Sequence, residues 1–274
     1  MRCEIFIVAK VIFSPFIGLS PIHGFSLLLL LSNFIALKVW MHSNRSMDFD
    51  ANIADTLIKL FAAWLLIAGV AYWANREGLG LSKKMLIASG RGLLQLLALA
   101  FVLHWIFDIQ SHLAQAALIA GFCILAGHNS ASHQDGARTT WIACAIGLIC
   151  ACLVTLPWLA VTGSISDDTR TLVPLGSMIA ANGMNAISIM FSRLKSGGEL
   201  GDGLKTAMIP TIDTLRVVGL VHMPGIFVGM VLAGASAIDA AVAQLIVLYM
   251  VVTSSFTACL ITFLMMNHLN KRKA

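Results

Sequence analysis

Asp213 and Arg216 stand three residues apart at the entrance to an apolar segment that Pro224-Gly225 interrupts. On a helix this spacing sets a carboxylate and a guanidinium on one face, within reach of each other. Charges at membrane depth are costly unless paired or solvated, so removing Arg216 is expected to strand a buried carboxylate. A second set of polar groups is Asn182 and Asn185, three apart, with Met178 one turn before Asn182. Amide oxygens and a thioether can pass a cation along, and amides can equally hydrogen-bond neighbouring helices. Arg91 and Gln95 form a third set, four apart on one helical face. Arg91 either snorkels to the near interface or joins Gln95 in an interior polar seam.

Other chemistry finds no pattern. Gly197-Gly198-Glu199-Leu200-Gly201-Asp202-Gly203-Leu204-Lys205 lacks the spacing of a phosphate-binding loop, and no strand precedes it. G-x-S-x-G and H-E-x-x-H are absent, and His128 and His133 are five apart, poor spacing for two ligands on one helix face. Cys123, Cys144, Cys150, Cys152 and Cys259 lie inside apolar runs, without C-x-x-C spacing. The expectation for them is packing as small hydrophobes. No resident metal or cofactor is implied, and a nucleophile–base constellation for catalysis is missing.

The elements that must hold these residues are membrane helices. Of 274 residues, 58% are hydrophobic and 11% charged, against about 25% charged in soluble domains. The fold class is therefore all-α, a polytopic membrane protein with about seven transmembrane helices. Six spans follow from length and apolarity: Thr56–Ala74, Met85–Phe107, Leu113–Ser130, Trp141–Val161, Leu172–Phe191 and Ala240–Met266. A seventh, near Val217–Ala235, is broken by Pro224. The basic residues sort by loop, so their excess reads as topology and not as nucleic-acid binding. Arg76, Lys83, Lys84, Arg138, Arg193, Lys195 and Lys205 fall on one side, with the tail Lys271-Arg272-Lys273. Asp48, Asp50, Asp108, Asp167, Asp168 and Asp239 fall on the other. The positive-inside rule makes the first side, and the C-terminus, cytoplasmic.

Residues 1–46 form an apolar leader set apart from the main transmembrane region 47–270 and the basic tail 271–274. An extra helix or signal anchor, a cleaved signal peptide, and a native start at Met47 are all compatible with it. Within the main region, Asp202, Lys205, Asp213 and Arg216 fall in one sector of about 80° at helical spacing. Leu204, Met208, Ile212 and Leu215 face the other way. This predicts an amphipathic helix kinked at Pro210, lying on the inner leaflet or passing force into the next segment. Gly176, Ala180 and Gly183 form a small-residue stripe, and Gly225 and Gly229 a G-x-x-x-G step. Both allow close helix approach, within a subunit or across a dimer.

Taken together, these blocks resemble the iron-export permease family of bacterial ABC transporters, the FetB-like permeases, to which plant aluminium-tolerance half-transporters are related. The residues that carry the resemblance are Gly90-Arg91 with Leu94-Gln95-Leu96, Pro174 through Asn185, Ile209-Pro210-Thr211-Ile212-Asp213 with Val218-Gly219-Leu220, and Pro224-Gly225 with Gly229 and Leu232-Ala233-Gly234; Gln244 continues them. The resemblance implies a bacterial inner-membrane permease that forms a homodimer and exports iron or a related metal ion. ATP would be bound by a separate ATPase subunit. On this reading Asn182, Asn185, Asp213, Arg216, Arg91 and Gln95 line the path, with Gly219, Pro224, Gly225 and Gly229 as hinge or packing positions. The resemblance departs at Ser192–Leu204, where the family carries a cytoplasmic segment longer by roughly two dozen residues that resembles the element inserting into the ATPase. Coupling would then fall to Leu204, Lys205 and Met208. His222 and Ala181 also stand where the family has small residues and Gly.

Overall fold

The computed structural model describes residues 53–108, 111–134, 137–166 and 168–271. The leader 1–46 and the tail 272–274 lie outside the described residues. Eight α-helices account for the regular structure there: α1 (Ile53–Arg76), α2 (Ser82–Phe107), α3 (His112–Ala131), α4 (Arg138–Val161), α5 (Thr169–Lys195), α6 (Leu200–Val217), α7 (Gly225–Leu232) and α8 (Ala237–Lys271). Among the described residues, the sole β-type pairing is an isolated bridge between Val218 and His222. Six helices are long and apolar enough to cross a bilayer: α1 to α5 and α8. Each contains one of the six predicted spans, so the chain is a multi-pass, all-α membrane protein.

The seventh predicted span is interrupted, as its Pro224-Gly225 step implies. Val217–Ala235 is not one helix; α6 stops at Val217, a turn follows, and α7 has eight residues. At 1.5 Å per residue α7 is about 12 Å long, against about 30 Å of hydrocarbon. The turn is dictated locally. Gly219 takes φ +80°, a conformation that costs glycine little. The amides of Val221 and His222 both return to the Val217 carbonyl. Pro224, which has no N–H to lose, then opens α7 as its N-cap. Pro210 lies inside α6, which runs through it as a single helix.

The chain divides inside α2, at residues 101 and 102, into two compact units. In the first, α1 and the start of α2 meet through Trp64, whose indole N–H donates to Ser89 Oγ at 3.2 Å. The second unit holds the main core. Leu148 of α4, with Ile179, Ile187, Met190 and Phe191 of α5, is fully buried, together with Ala258 and Cys259 of α8. The ends of these helices are specified by side chains. Asp168 caps α5 by accepting from the Thr171 amide at 2.9 Å. Hydrogen bonds from the Thr171 side chain first, then from Ser166 and the Thr171 amide, hold the Asp168 carboxyl below its ordinary value. Ser236 accepts from the Asp239 amide at 3.1 Å and donates to its carboxylate at 2.6 Å, a reciprocal cap on α8. At the other end of α4, Gly163 at φ +69° stops the helix.

Candidate functional site

The small-residue stripe of α5 is a contact surface on two sides. A Cβ at Gly176 would meet Ile119 of α3 at 2.8 Å, and one at Gly183 would meet Leu148 of α4 at 2.5 Å and Ala258 of α8 at 3.3 Å. Ala180, between them, is 2% exposed. Missing side chains thus let three helices close on α5. The same device recurs where Gly147 of α4 faces Thr262 and the Ala258 carbonyl of α8, and where Gly127 of α3 faces the backbone of Ala145.

This packing fixes the two amides of α5 differently. Asn182 is half-buried, and its amide nitrogen donates to the Met178 carbonyl of its own helix at 2.9 Å. Asn185 is exposed. Between them Met184 receives Asn129 Nδ2 on its sulfur at 3.3 Å, while its carbonyl accepts from Ser130 at 3.1 Å and Ser188 at 2.8 Å. Sequence reasoning did not connect Asn129 and Ser130 to this helix.

Asp213 and Arg216 do form a pair, with the guanidinium 3.1 Å from the carboxylate. The sheltered setting expected for it is corrected. On the protomer Arg216 is 73% and Asp213 54% exposed, so the pair contributes under about 1 kcal/mol to folding. The predicted polar sector is outward, with Asp202 and Lys205 also exposed. Leu204 and Met208 point the other way: Met208 is buried and Leu204 packs on the core, so neither offers a free face for coupling. Beyond α6 the turn presents Leu220, Val221 and Met223 as exposed apolar side chains. Gly219, Gly225 and Gly229 have no described atom within 4 Å of a would-be Cβ, so G-x-x-x-G packing inside the subunit is not realised. In the first unit, Arg91 and Gln95 are both exposed on α2.

A groove of about 190 Å³ runs between α3, α4 and the start of α5. At one end His112 Nδ1 lies 3.2 Å from Gln115 Oε1, and the buried Gln115 amide donates to Thr169 Oγ1 at 2.6 Å. Deeper along the same wall the sulfurs of Cys123 and Cys152 are 3.6 Å apart. Neither the Gln115 contact nor the thiol pair was foreseen. A single Gln in an apolar helix was the one available signal. On α8, Gln244, Ser255 and Thr262 each bury an oxygen with no hydrogen-bond partner among the described atoms. The described residues hold no cluster of three or more His, Cys, Asp or Glu arranged for a metal ion.

The profile of UPF0014, described as an uncharacterised protein family, matches residues 57–200 and 198–269. The probable iron export permease protein FetB of Escherichia coli is 26% identical over 239 residues, taking in 77% of this chain and 92% of that protein. The UPF0014 membrane protein STAR2 of Oryza sativa is 25% identical, over 75% of this chain and 80% of its own. YjkA of Bacillus subtilis, another UPF0014 membrane protein, is 26% identical over 66% and 82%. No solved structure matches the chain. The FetB alignment spans 239 positions, whereas 77% of 274 residues is about 211, so about 28 positions have no counterpart here. The two profile matches meet at residues 198–200, in the link between α5 and α6.

Proposed function

Because the chain belongs to the uncharacterised protein family UPF0014, we propose that it is the membrane-spanning permease subunit of an ABC-type exporter. Its cargo is iron or a related metal ion, and a separate ATPase subunit supplies the energy. The observation that carries this reading is the match to a probable iron export permease over 92% of that protein's length. The chain sits in a bacterial inner membrane with its C-terminus in the cytoplasm. Two copies enclose the path. Asn185, exposed on α5, faces it, and Asp213 with Arg216 marks its cytoplasmic mouth. A pair worth little to folding is free to open and re-form during a transport cycle. Loop charges alternate correctly only if α6, the turn at Gly219 and α7 together return the chain to the outer face.

A second reading is favoured by the link between α5 and α6, which has four residues, 196–199. A chain lacking the family's longer cytoplasmic segment there is a paralogue that kept the fold and lost its motor. Co-purification from the native membrane with metal accounting in cells separates the two. The exporter brings down a nucleotide-hydrolysing subunit, and deleting its gene raises cell iron. If no ATPase accompanies the chain and metal content is unchanged, the exporter reading fails and the second stands.

A further inference from the structure

Cys123 and Cys152 are 29 residues apart in sequence and belong to different helices, yet their sulfurs face each other at 3.6 Å. They are 0% and 5% exposed. The Cys152 sulfur also lies 4.0 Å from the Gly176 carbonyl, at the stripe where α5 approaches without a side chain. Both cysteines line the groove described above. From the exposed His112 to Cys123 its wall follows eleven residues of α3, about 16 Å of helix. Ile119, Ile149 and Leu156 make the surrounding wall apolar, and no carboxylate lines it.

The donor set defines what can bind. Calcium and magnesium require six or more oxygens, and zinc requires four donors. Two sulfurs in an apolar wall satisfy a soft monovalent d¹⁰ cation, which takes thiolate ligands and accepts two of them. We propose that Cys123 and Cys152 form a two-sulfur site for a thiophilic monovalent cation of the copper(I) and silver(I) class, reached along the groove. On binding, one thiol proton leaves and a metal–sulfur bond forms to that thiolate. The second sulfur donates a lone pair, and no electron is transferred. The loaded site is neutral, which avoids the cost of an uncompensated charge in an apolar interior. The proposal adds a role to cysteines that also pack in the core, and it stands whether or not the chain exports metal.

The test is a titration of the purified full chain, its thiols reduced beforehand and the reductant removed, in oxygen-free, chloride-free detergent buffer, using silver(I), which does not change oxidation state there. One tight silver ion per chain is expected, with release of about one proton. Silver should shield the Cys123 and Cys152 peptides, but not Cys150, from a small permeant alkylating reagent. C123S/C152S should bind silver roughly a hundredfold more weakly, while C144S/C259S, which removes two other buried thiols, keeps the tight site. Should C123S/C152S not fold, the shielding pattern in the unaltered chain and in C144S/C259S decides. Unchanged affinity in C123S/C152S, or shielding spread evenly over all cysteines, overturns the proposal. Transport enters none of these readouts, so their failure is distinct from failure of the exporter reading.

Discussion

Glycines on α4 and α5 and glycines around α7 present the same residue in opposite circumstances. At Gly147, Gly176 and Gly183 a missing side chain is the space a neighbouring helix occupies. At Gly225 and Gly229 the space beyond is open on the protomer. Gly176 with Gly183, and Gly225 with Gly229, read in sequence as small-residue steps suited to helix packing, whereas Gly147 carried no such signal. Spacing reports that close approach is allowed; it does not report that a partner from the same subunit makes it. The first set holds the protomer together, and the second leaves a face for lipid or for another copy.

The comparison breaks most easily at Gly147. Gly147→Leu would drive its Cβ into Thr262 Oγ1 and to 2.8 Å from the Ala258 carbonyl, where backbone cannot yield. The expected result is a chain that does not reach the folded state, seen as loss of the monodisperse peak on detergent size exclusion. Gly183→Ala meets Leu148 Cδ2, a flexible end, and should lower thermal stability by about 1–3 kcal/mol. A melting temperature equal to wild type in either variant would show that these helices are further apart than described. Gly229→Ala sharpens the other half: in an open helical face it should raise stability by about 0.5–1 kcal/mol. If the variant instead dissociates a dimer on cross-linking, α7 is a subunit contact.

Smaller effects test the polar edges of the same two regions. Asp213→Asn should change protomer stability by less than about 1 kcal/mol while abolishing metal efflux; retained efflux would remove the pair from the mechanism. Asp168 caps the sealed region at α5. Its carboxyl sits below the ordinary 3.8 in the folded chain, so its contribution is complete above that value and is lost as pH falls through the folded value. Asp168→Asn should flatten the acid limb of a stability–pH curve below about 3.8, and an unchanged limb would show that the cap does not titrate.

Hydropathy located six helices because a span needs a long apolar run, and Thr56–Ala74 through Ala240–Met266 supply them. At Val217–Ala235 an equally apolar string is interrupted, as the Pro224-Gly225 step in the sequence implies; what the sequence did not show is that α6 already ends at Val217, ahead of the turn at Gly219. Site residues were legible only as far as one helix reaches. The pairing of Asp213 with Arg216 follows from i, i+3 spacing, and their exposure does not. Asn182 turns to its own helix because the Met178 carbonyl is one turn away, a choice no periodicity shows. The thiols of Cys123 and Cys152 meet because α3 packs on α4, where Gly127 faces the backbone of Ala145, a tertiary contact that spacing within one helix does not show.

Four residues connect α5 to α6, and they are fastened to what precedes them. The amides of Ser196 and Gly198 return to the Arg193 carbonyl, and Gly197 returns to Leu194. Just beyond, Gly203 lies against Met190 and Leu194. Such a joint has no slack. Any push delivered to α6 would be felt by α5 at once, as by a lever with a welded elbow, and would carry Asn185 and the helix-contacting stripe with it.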